Sequence, residues 1–338
     1  MKKSFLLRSL FILFYTASAS HVDAQFTTFI VDGATNTYVT SINDSNDIAG
    51  YYDDGTGVHG FIYDGVDTTF INYPGALQTY IYGINNNRSV VGAYNTTGSL
   101  PDNEGFQWDE LGSVYTDLTT SWVPSMEYTI ARDINDNDCV VGDYKQSTTH
   151  VCFSMCLGSN ASFHYNYNPT YINSINNTGK RAGFWIDGSN RHGLIYDYGN
   201  WTEIDYPGAT RTMFTAINDS NIAVGVFNLT RSFVYRGGVF KEIKKWDATD
   251  FQIRDINNKG FVVGYYKDGS AVYKGFYLPI WDIGFRPNPN GWSFENKLEN
   301  IWPQSWWKQF DYRHDPYLGG ASYFPEILYQ NGTIDTIN

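Results

Sequence analysis

The sequence predicts an all-β protein, a β-propeller of six four-stranded repeats followed by a short irregular segment that is rich in tryptophan. The first observation behind this prediction is the composition: 17% of the 338 residues are aromatic and only 17% are charged. Charged residues usually make up about a quarter of a globular domain. Aromatic residues favour strands, and their density excludes a disordered chain. The formal net charge of −12 excludes a basic nucleic-acid-binding protein.

The second observation is an internal repeat, in which an Ile-Asn pair is followed by a glycine eight residues after the isoleucine. Successive isoleucines lie 42, 50, 41, 42 and 39 residues apart, and the repeats span residues 26–280. Four strands fit such a unit, which is typical of a propeller blade and too long for one coil of an open β-solenoid, the alternative architecture. We number the units one to six by these residues: Ile42 and Gly50, Ile84 and Gly92, Ile134 and Gly142, Ile175 and Gly183, Ile217 and Gly225, Ile256 and Gly264.

Further positions recur in every unit at fixed offsets from the isoleucine and the glycine. The fourth residue after the isoleucine falls in a tight turn, where we expect a left-handed backbone, because Gly, Asn and Asp tolerate positive φ. We also expect the strand at 27–30 to pair with the last unit and close the ring. The turn positions are Asn46, Arg88, Asp138, Gly179, Asn221 and Gly260. An aromatic follows each glycine by two residues: Tyr52, Tyr94, Tyr144, Trp185, Phe227 and Tyr266. An apolar residue comes later in each unit: Phe61, Phe106, Phe153, Leu194, Phe233 and Phe276.

Residues 1–24 read as a secretory signal peptide. Lys2, Lys3 and Arg8 precede a short apolar run, and small residues follow it, so cleavage is expected after Ala19 or Ala24. The alternative is an uncleaved membrane anchor, although the run is short for a bilayer span. The mature chain is therefore predicted to be secreted or periplasmic, with no membrane span.

Two strings resemble a known repeat. They are Ile-Asn-Asp-Ser-Asn-x-x-x-Gly-Tyr-Tyr, followed by His59-Gly60-Phe61, and Thr-Phe-Ile-Asn-Tyr-Pro-Gly-Ala. They are similar to the probable extracellular repeat of the HAF family, which is named for a His-Ala-Phe triplet. The resemblance covers about residues 26–278, and it implies a secreted or surface repeat protein without implying an activity. Only unit four, at His192, repeats the histidine of unit one; the other units carry Glu104, Val151, Arg231 and Lys274.

The three cysteines all lie in unit three, and an extracytoplasmic protein favours a disulfide between two of them. If Gly50 lies opposite Phe61 across a hairpin, the same register in unit three places Cys139 opposite Cys156. We therefore predict a Cys139–Cys156 disulfide with Cys152 buried. Three buried, reduced cysteines are the alternative.

No catalytic residue, cofactor or metal ligand is assigned from the sequence. The acidic segments 44–47 and 136–138 lack the spacing of a calcium-binding loop, and we interpret them as turns. His59 and His192 occupy equivalent positions in different units, so we interpret them as repeat residues and not as a zinc pair. A carboxylate pair for glycoside cleavage stays open, since such pairs are far apart in sequence.

The C-terminal segment 281–338 breaks the repeat and carries five of the ten tryptophans. We expect it either to cap the ring or to bind a ligand by stacking. The predicted function is a secreted, monomeric binding or surface-interaction module for a carbohydrate or a protein. The alternative is a secreted hydrolase of polysaccharide with acidic residues in the propeller channel. The candidate ligand-binding residues are Trp302, Trp306, Trp307 and Tyr312.

Overall fold

The computed structural model describes residues 26–98, 103–118, 128–146, 149–156, 162–163, 169–245, 247–280, 326–330 and 333–337. Regular structure in this part of the chain consists of β-strands, as the composition predicts. Within the same residues, no helix is long and apolar enough to cross a membrane. The signal peptide predicted at 1–24 lies outside the described residues.

The strands follow the repeat. Unit one has β2 (Asn36–Ile42), β3 (Ile48–Asp53), β4 (Val58–Tyr63) and β5 (Thr68–Ile71), after β1 (Thr27–Phe29). Unit two has β6 (Gln78–Ile84), β7 (Val90–Asn95), β8 (Glu104–Asp109) and β9 (Val114–Asp117). Unit three has β10 (Tyr128–Ile134), β11 (Val140–Gln146), β12 (Thr149–Met155) and β13 (Ser162–Phe163). Unit four has β14 (Thr170–Ile175), β15 (Arg181–Asp187), β16 (Asn190–Asp197) and β17 (Asn200–Glu203). Unit five has β18 (Thr212–Ile217), β19 (Ala223–Phe227), β20 (Arg231–Arg236) and β21 (Val239–Ile243), and unit six has β22 (Asp250–Ile256), β23 (Phe261–Lys267) and β24 (Tyr273–Pro279).

These strands form antiparallel meanders in a β-propeller arrangement. Units three, four and five each form a separate four-stranded sheet. The last sheet contains β22 to β24 and takes its fourth strand, β1, from the start of the repeat region, as expected. The eight strands of units one and two form a single sheet, in which one parallel bridge between Val58 and Gln78 joins two meanders.

The fixed glycine of each unit is required by the first strand of its own sheet. The first strand bulges beside it, for example between Val39 and Ser41 opposite Gly50. A Cβ atom on Gly50 would lie 2.0 Å from the carbonyl oxygen of Tyr38, and one on Gly183 would lie 2.0 Å from that of Tyr171. Glycine therefore makes room for the bulged backbone. In units three and five it also makes room for an aromatic ring, because a Cβ atom would lie 2.8 Å from Phe153 and 2.7 Å from Phe233.

The core lies between neighbouring sheets and repeats from unit to unit. Phe61 pairs with Gly50 across the hairpin and is fully buried, as are its equivalents in the other units. Ile62 of unit one and Ile81 of unit two belong to the same buried cluster. Burying each such side chain contributes about 1.5–3 kcal/mol, so the contacts between units carry much of the stability.

Unit three contains the predicted disulfide. Gly142 pairs with Phe153, as Gly50 pairs with Phe61, and this register brings Cys139 and Cys156 together. The two sulfur atoms are bonded, and Cys152 is buried outside the disulfide. The left-handed turn position is also confirmed in all six units. The φ values are 71° at Asn46, 60° at Arg88, 53° at Asp138, 83° at Gly179, 59° at Asn221 and 79° at Gly260.

The chain divides into two compact bodies, residues 25–294 and residues 1–24 with 295–338. The described part of the second body is a hairpin of β25 (Glu326–Gln330) and β26 (Thr333–Ile337). The expectation of an irregular C-terminal segment was therefore wrong for these residues. The signal for the hairpin was present, because Asn-Gly, the pair most typical of a two-residue hairpin connection, stands between two apolar runs.

Candidate functional site

The Ile-Asn segments of all six units line one opening of a channel along the first strands. The opening encloses a cavity of about 70 Å³, which has room for a few water molecules. The first strands of consecutive units contact one another, so their side chains form the channel wall. The Ile-Asn pair that occurs in every unit therefore lies at this opening in each of them.

The asparagine of each Ile-Asn pair links its own turn to the next unit. Asn43 Oδ1 accepts hydrogen bonds from the backbone N–H groups of Ser45 and Asp47, and its Nδ2 donates to the carbonyl oxygen of Asn85 at 3.3 Å. The same Nδ2 bond runs from each unit to the following one, through Asn85, Asn135, Asn176, Asn218 and Asn257, and returns to Asn43.

The next residue of each unit forms a second ring, in which carboxylates and amides alternate. Asn86 Nδ2 donates to Asp44 Oδ2 at 3.1 Å and to Asp136 Oδ2 at 2.8 Å, and the other two asparagines bridge their neighbours in the same way. The acidic turns at 44–47 and 136–138 thus supply members of this ring. In order, the ring contains Asp44, Asn86, Asp136, Asn177, Asp219 and Asn258.

Two further carboxylates lie deeper in the channel, just before the isoleucines of units three and six. Asp255 Oδ2 accepts hydrogen bonds from Ser41 Oγ at 2.6 Å and from the Ile42 N–H at 2.9 Å. Asp133 Oδ2 accepts one from the Ile175 N–H at 2.9 Å. Burial, and then the charge of Asp255, raises the pKa of Asp133 to about 8. Burial also raises the pKa of Asp255.

A cluster of tyrosines occupies another part of the inner strands. Tyr38 stacks on Tyr51, with 4.9 Å between ring centroids, and Tyr51 meets Tyr80 edge to face at 5.1 Å. Tyr80 and Tyr82 are nearly parallel at 6.2 Å. We call the following half-buried residues, from units one, two and six, the tyrosine cluster: Tyr38, Tyr51, Tyr80, Tyr82, Tyr265 and Tyr273.

Charged groups border the tyrosine cluster. Arg254 lies 6.0 Å from the ring centroid of Tyr265, and Arg132 pairs with the buried carboxylate of Asp143. Asp143 Oδ2 has no hydrogen-bond partner within the described residues. Burial and then the neighbouring phenols Tyr273 and Tyr265 raise the pKa of Tyr38 to about 12. The phenol of Tyr38 is therefore protonated at neutral pH and is a hydrogen-bond donor.

The histidine position of each unit faces the aromatic position across a hairpin. Tyr52 pairs with His59, and Trp185 pairs with His192, whose ring it stacks on at 4.8 Å. In unit four, His192 Nδ1 also lies 2.7 Å from Asp205 Oδ2 and 3.4 Å from Glu203 Oε1. The repeat relates His192 only to His59, so it does not reveal Glu203, at the end of the adjacent strand, or Asp205, just after it.

The candidate ligand-binding residues of the C-terminal segment, Trp302, Trp306, Trp307 and Tyr312, lie outside the described residues. The structure instead brings together the tyrosine cluster, which the sequence did not single out. Tyr38 and Tyr80 share one repeat position, four residues before the isoleucine, and Tyr51 and Tyr265 share another, directly after the fixed glycine. The residue type at both positions changes among the other units, so the repeat did not single them out.

The chain is similar to several solved structures. No family model and no curated protein matches the chain. A mutant of AofleA from Arthrobotrys oligospora has a TM-score of 0.44 at 11% identity, covering 78% of this chain and 89% of that one. A streptogramin B lyase has a TM-score of 0.43 at 9% identity, covering 75% and 97%. The β-propeller domain of the Trilobed protease from Pyrococcus furiosus also scores 0.43, at 10% identity, covering 72% and 95%.

Proposed function

We propose that this chain is an extracytoplasmic carbohydrate-binding protein of the HAF repeat type, built as a closed six-bladed propeller. The observation that carries the binding function is the tyrosine cluster. Half-buried aromatic faces stack on the apolar faces of sugar rings, and phenols, arginines and carboxylates hydrogen-bond to sugar hydroxyls. Asp143 Oδ2, which has no hydrogen-bond partner among the described residues, supplies a buried acceptor in this region.

The count of six blades is supported by the sheet of units one and two and by the asparagine bonds. A single bridge joins the two meanders of that sheet, so we treat them as separate blades. The chain of Nδ2 bonds passes through six asparagines before it returns to Asn43. The pairing of β1 with β24 supports a closed ring, because it covers the free edge of the last sheet.

The extracytoplasmic location is supported by the basic, apolar and small-residue segments of residues 1–24. The Cys139–Cys156 disulfide is compatible with it, since disulfides persist in oxidising compartments. Mass spectrometry of protein recovered from the culture medium or periplasm tests this proposal. A mature N-terminus after Ala19 or Ala24 is expected, and full retention of residues 1–24 in the cytoplasm contradicts it.

A glycan array tests the carbohydrate proposal. We expect the full chain to retain a defined set of glycans, and Tyr51→Ala and Tyr82→Ala to weaken retention by about fivefold or more, because each stacking face is worth about 1 kcal/mol or more. The matched control is Tyr198→Asn, which removes an aromatic that is 81% exposed in a left-handed turn.

Two outcomes of the array overturn this assignment. The wild-type chain retains no glycan, which leaves a protein ligand as the remaining class. Alternatively, Trp306→Ala and Trp307→Ala abolish retention while the tyrosine variants bind normally, which places the site in the C-terminal segment. Circular dichroism of each variant separates lost binding from lost folding.

A secreted polysaccharide hydrolase is the second candidate, favoured by Asp133. A carboxyl group with a pKa of about 8 holds a proton at neutral pH, as a general acid must. Against this role, Asp133 already accepts hydrogen bonds from the N–H groups of Ile134 and Ile175. An assay for reducing ends on the same glycans decides. Release of reducing ends that Asp133→Asn abolishes would replace the binding proposal by the hydrolase.

A further inference from the structure

The outer hairpin of unit four brings one histidine and two carboxylates to one face. The register places Leu194 opposite Glu203, and the Ile204 N–H donates to the Gly193 carbonyl at 2.9 Å, so Asp205 comes opposite His192. Glu203 is the last residue of β17 and the Ile204 bond continues its pairing, so Asp205 follows Glu203 onto the same face, as alternate residues of a strand do. One donor atom from each of the three side chains lies within 4.8 Å of the other two.

The separations suit a shared metal ion. In a tetrahedral zinc site with bonds of about 2.0–2.1 Å, ligand atoms lie about 3.4 Å apart. The distance from His192 Nδ1 to Glu203 Oε1 is 3.4 Å. The 2.7 Å from His192 Nδ1 to Asp205 Oδ2 is a hydrogen-bond length, and a small rotation of either side chain lengthens it when an ion takes the place of the proton.

Other groups orient each carboxylate toward the histidine. Trp185 Nε1–H donates to Glu203 Oε2 at 3.0 Å, and the Gly193 N–H donates to Asp205 Oδ1 at 3.0 Å. The Trp185 ring also fixes the plane of the His192 ring by stacking, with 26° between them. Outer partners of this kind are a regular part of protein metal sites.

Charge and access complete the arrangement. The ligand set of one imidazole and two carboxylates offers two negative charges, which a divalent cation balances. The side chains of His192, Glu203 and Asp205 are 22%, 43% and 33% exposed, so an ion enters from solvent and water fills its fourth position. Imidazole and carboxylate are both ligands of zinc. We propose that His192, Glu203 and Asp205 bind one Zn²⁺ ion, a site that does not depend on carbohydrate binding.

Unit one supplies a control within the same chain. His59 occupies the equivalent position, and its Nδ1 lies 3.1 Å from Asn72 Oδ1. Phe70 stands where unit four has Glu203, because it pairs with Phe61 as Glu203 pairs with Leu194. This hairpin lacks the two carboxylates that unit four places opposite its histidine, and the one carboxylate beside His59 is Asp54, whose Oδ2 lies 3.4 Å from Nε2. We expect it to leave zinc unbound.

Isothermal titration calorimetry of the chelator-treated full chain with ZnCl₂ tests the site. We expect one Zn²⁺ per chain, lost in His192→Ala and Asp205→Asn and retained in His59→Ala. Trp185→Phe keeps the ring and removes the donor to Glu203, so it should weaken zinc binding by about tenfold. The isosteric Glu203→Gln provides a ligand loss with the least risk to folding, which circular dichroism monitors.

Three results contradict the proposal. The first is that the wild-type chain shows no zinc binding. The second is that His192→Ala and Glu203→Gln bind zinc as the wild type does. The third is that CaCl₂ binds at these residues and ZnCl₂ does not. In the first case, the three side chains form only a hydrogen-bonded histidine–carboxylate group.

Discussion

Units one and four share their inner residues and differ in their outer hairpins. The inner residues are Ser41 and Ser174 before the isoleucine, Asn43 and Asn176 after it, and Gly50 and Gly183 in the second strand. In the outer hairpin both units keep a histidine beside an aromatic ring, at His59 and His192. Unit one then has Phe70 and Asn72 where unit four has Glu203 and Asp205.

The comparison separates two kinds of residue. The inner serines and asparagines hydrogen-bond to the neighbouring unit, and the glycines make room for the bulge of their own sheet, so these residues are the same in both units. The outer hairpin contacts solvent and is free to vary, so new chemistry can arise there without loss of the scaffold. Substitutions of inner residues should therefore change stability equally in both units, and substitutions of outer residues should change ligand binding in one.

The largest effect is expected for the fixed glycines. Gly50→Ala and Gly183→Ala should each lower the free energy of unfolding by about 3 kcal/mol or more, because the new methyl group collides with a backbone carbonyl. Urea denaturation measures the loss, and Gly269→Ala, with open space at its Cβ position, is the neutral control. A loss in only one of the two units would show that their inner parts are not equivalent.

The ring asparagines come next. Asn43→Ala and Asn176→Ala should each cost about 2–3 kcal/mol, because each leaves two turn N–H groups and the next unit's carbonyl without their partner. Thermal or urea unfolding measures this cost. The exposed Asn87→Ala is the control. Equal stability of Asn43→Ala and the wild type would argue against the ring as a stabilising element.

Units one and four each receive a buried carboxylate from the preceding unit, which predicts a pH dependence. The raised pKa of Asp133 means that the folded chain keeps a proton which the unfolded chain, where this carboxyl has its ordinary pKa of 3.8, releases. The free energy of unfolding should therefore fall as pH rises from about 4 to about 8. Asp133→Asn should flatten this decline in urea titrations at pH 5 and pH 8. A stability that rises over this range in the wild type, or an unchanged slope in the variant, is the contrary result.

The smallest effect on stability, together with a gain of zinc binding, is expected when the two carboxylates of unit four are introduced into unit one. Phe70→Glu with Asn72→Asp gives unit one both carboxylates of unit four at exposed positions, so unfolding should change by less than about 0.5 kcal/mol. Calorimetry should then count two Zn²⁺ per chain in place of one. A count that stays at one means that the tryptophan of unit four, absent from unit one, is also required.

Features that repeat were predictable from the sequence, because each unit shows which residue types occur at the same position. The left-handed turns and the Cys139–Cys156 disulfide followed from offsets that recur in several units. The inner carboxylates were not found, because Asp133 and Asp255 occupy a position that is serine, glycine or alanine in the other units.

Features that form where two units meet, or that occur in one unit alone, could not be predicted from the repeat. The tyrosine cluster joins Tyr38 and Tyr51 of unit one to Tyr265 of unit six, which the closure of the chain brings within 5.1 Å of Tyr38. The group around His192 needed the register of one outer hairpin. That register is the pairing of Leu194 with Glu203 between β16 and β17, and the glycine position, which pairs Gly183 with Leu194, fixes only the preceding hairpin.

The alternating ring of carboxylates and amides requires an even number of members. These are Asp44, Asn86, Asp136, Asn177, Asp219 and Asn258. Each amide donates to a carboxylate on either side, and such a sequence closes on itself only with an even number of members. Insertion or loss of one unit would set two carboxylates, or two amides, side by side. To keep the alternation, units must therefore be gained or lost in pairs, or the residue after one Ile-Asn pair must change when a single unit is gained or lost.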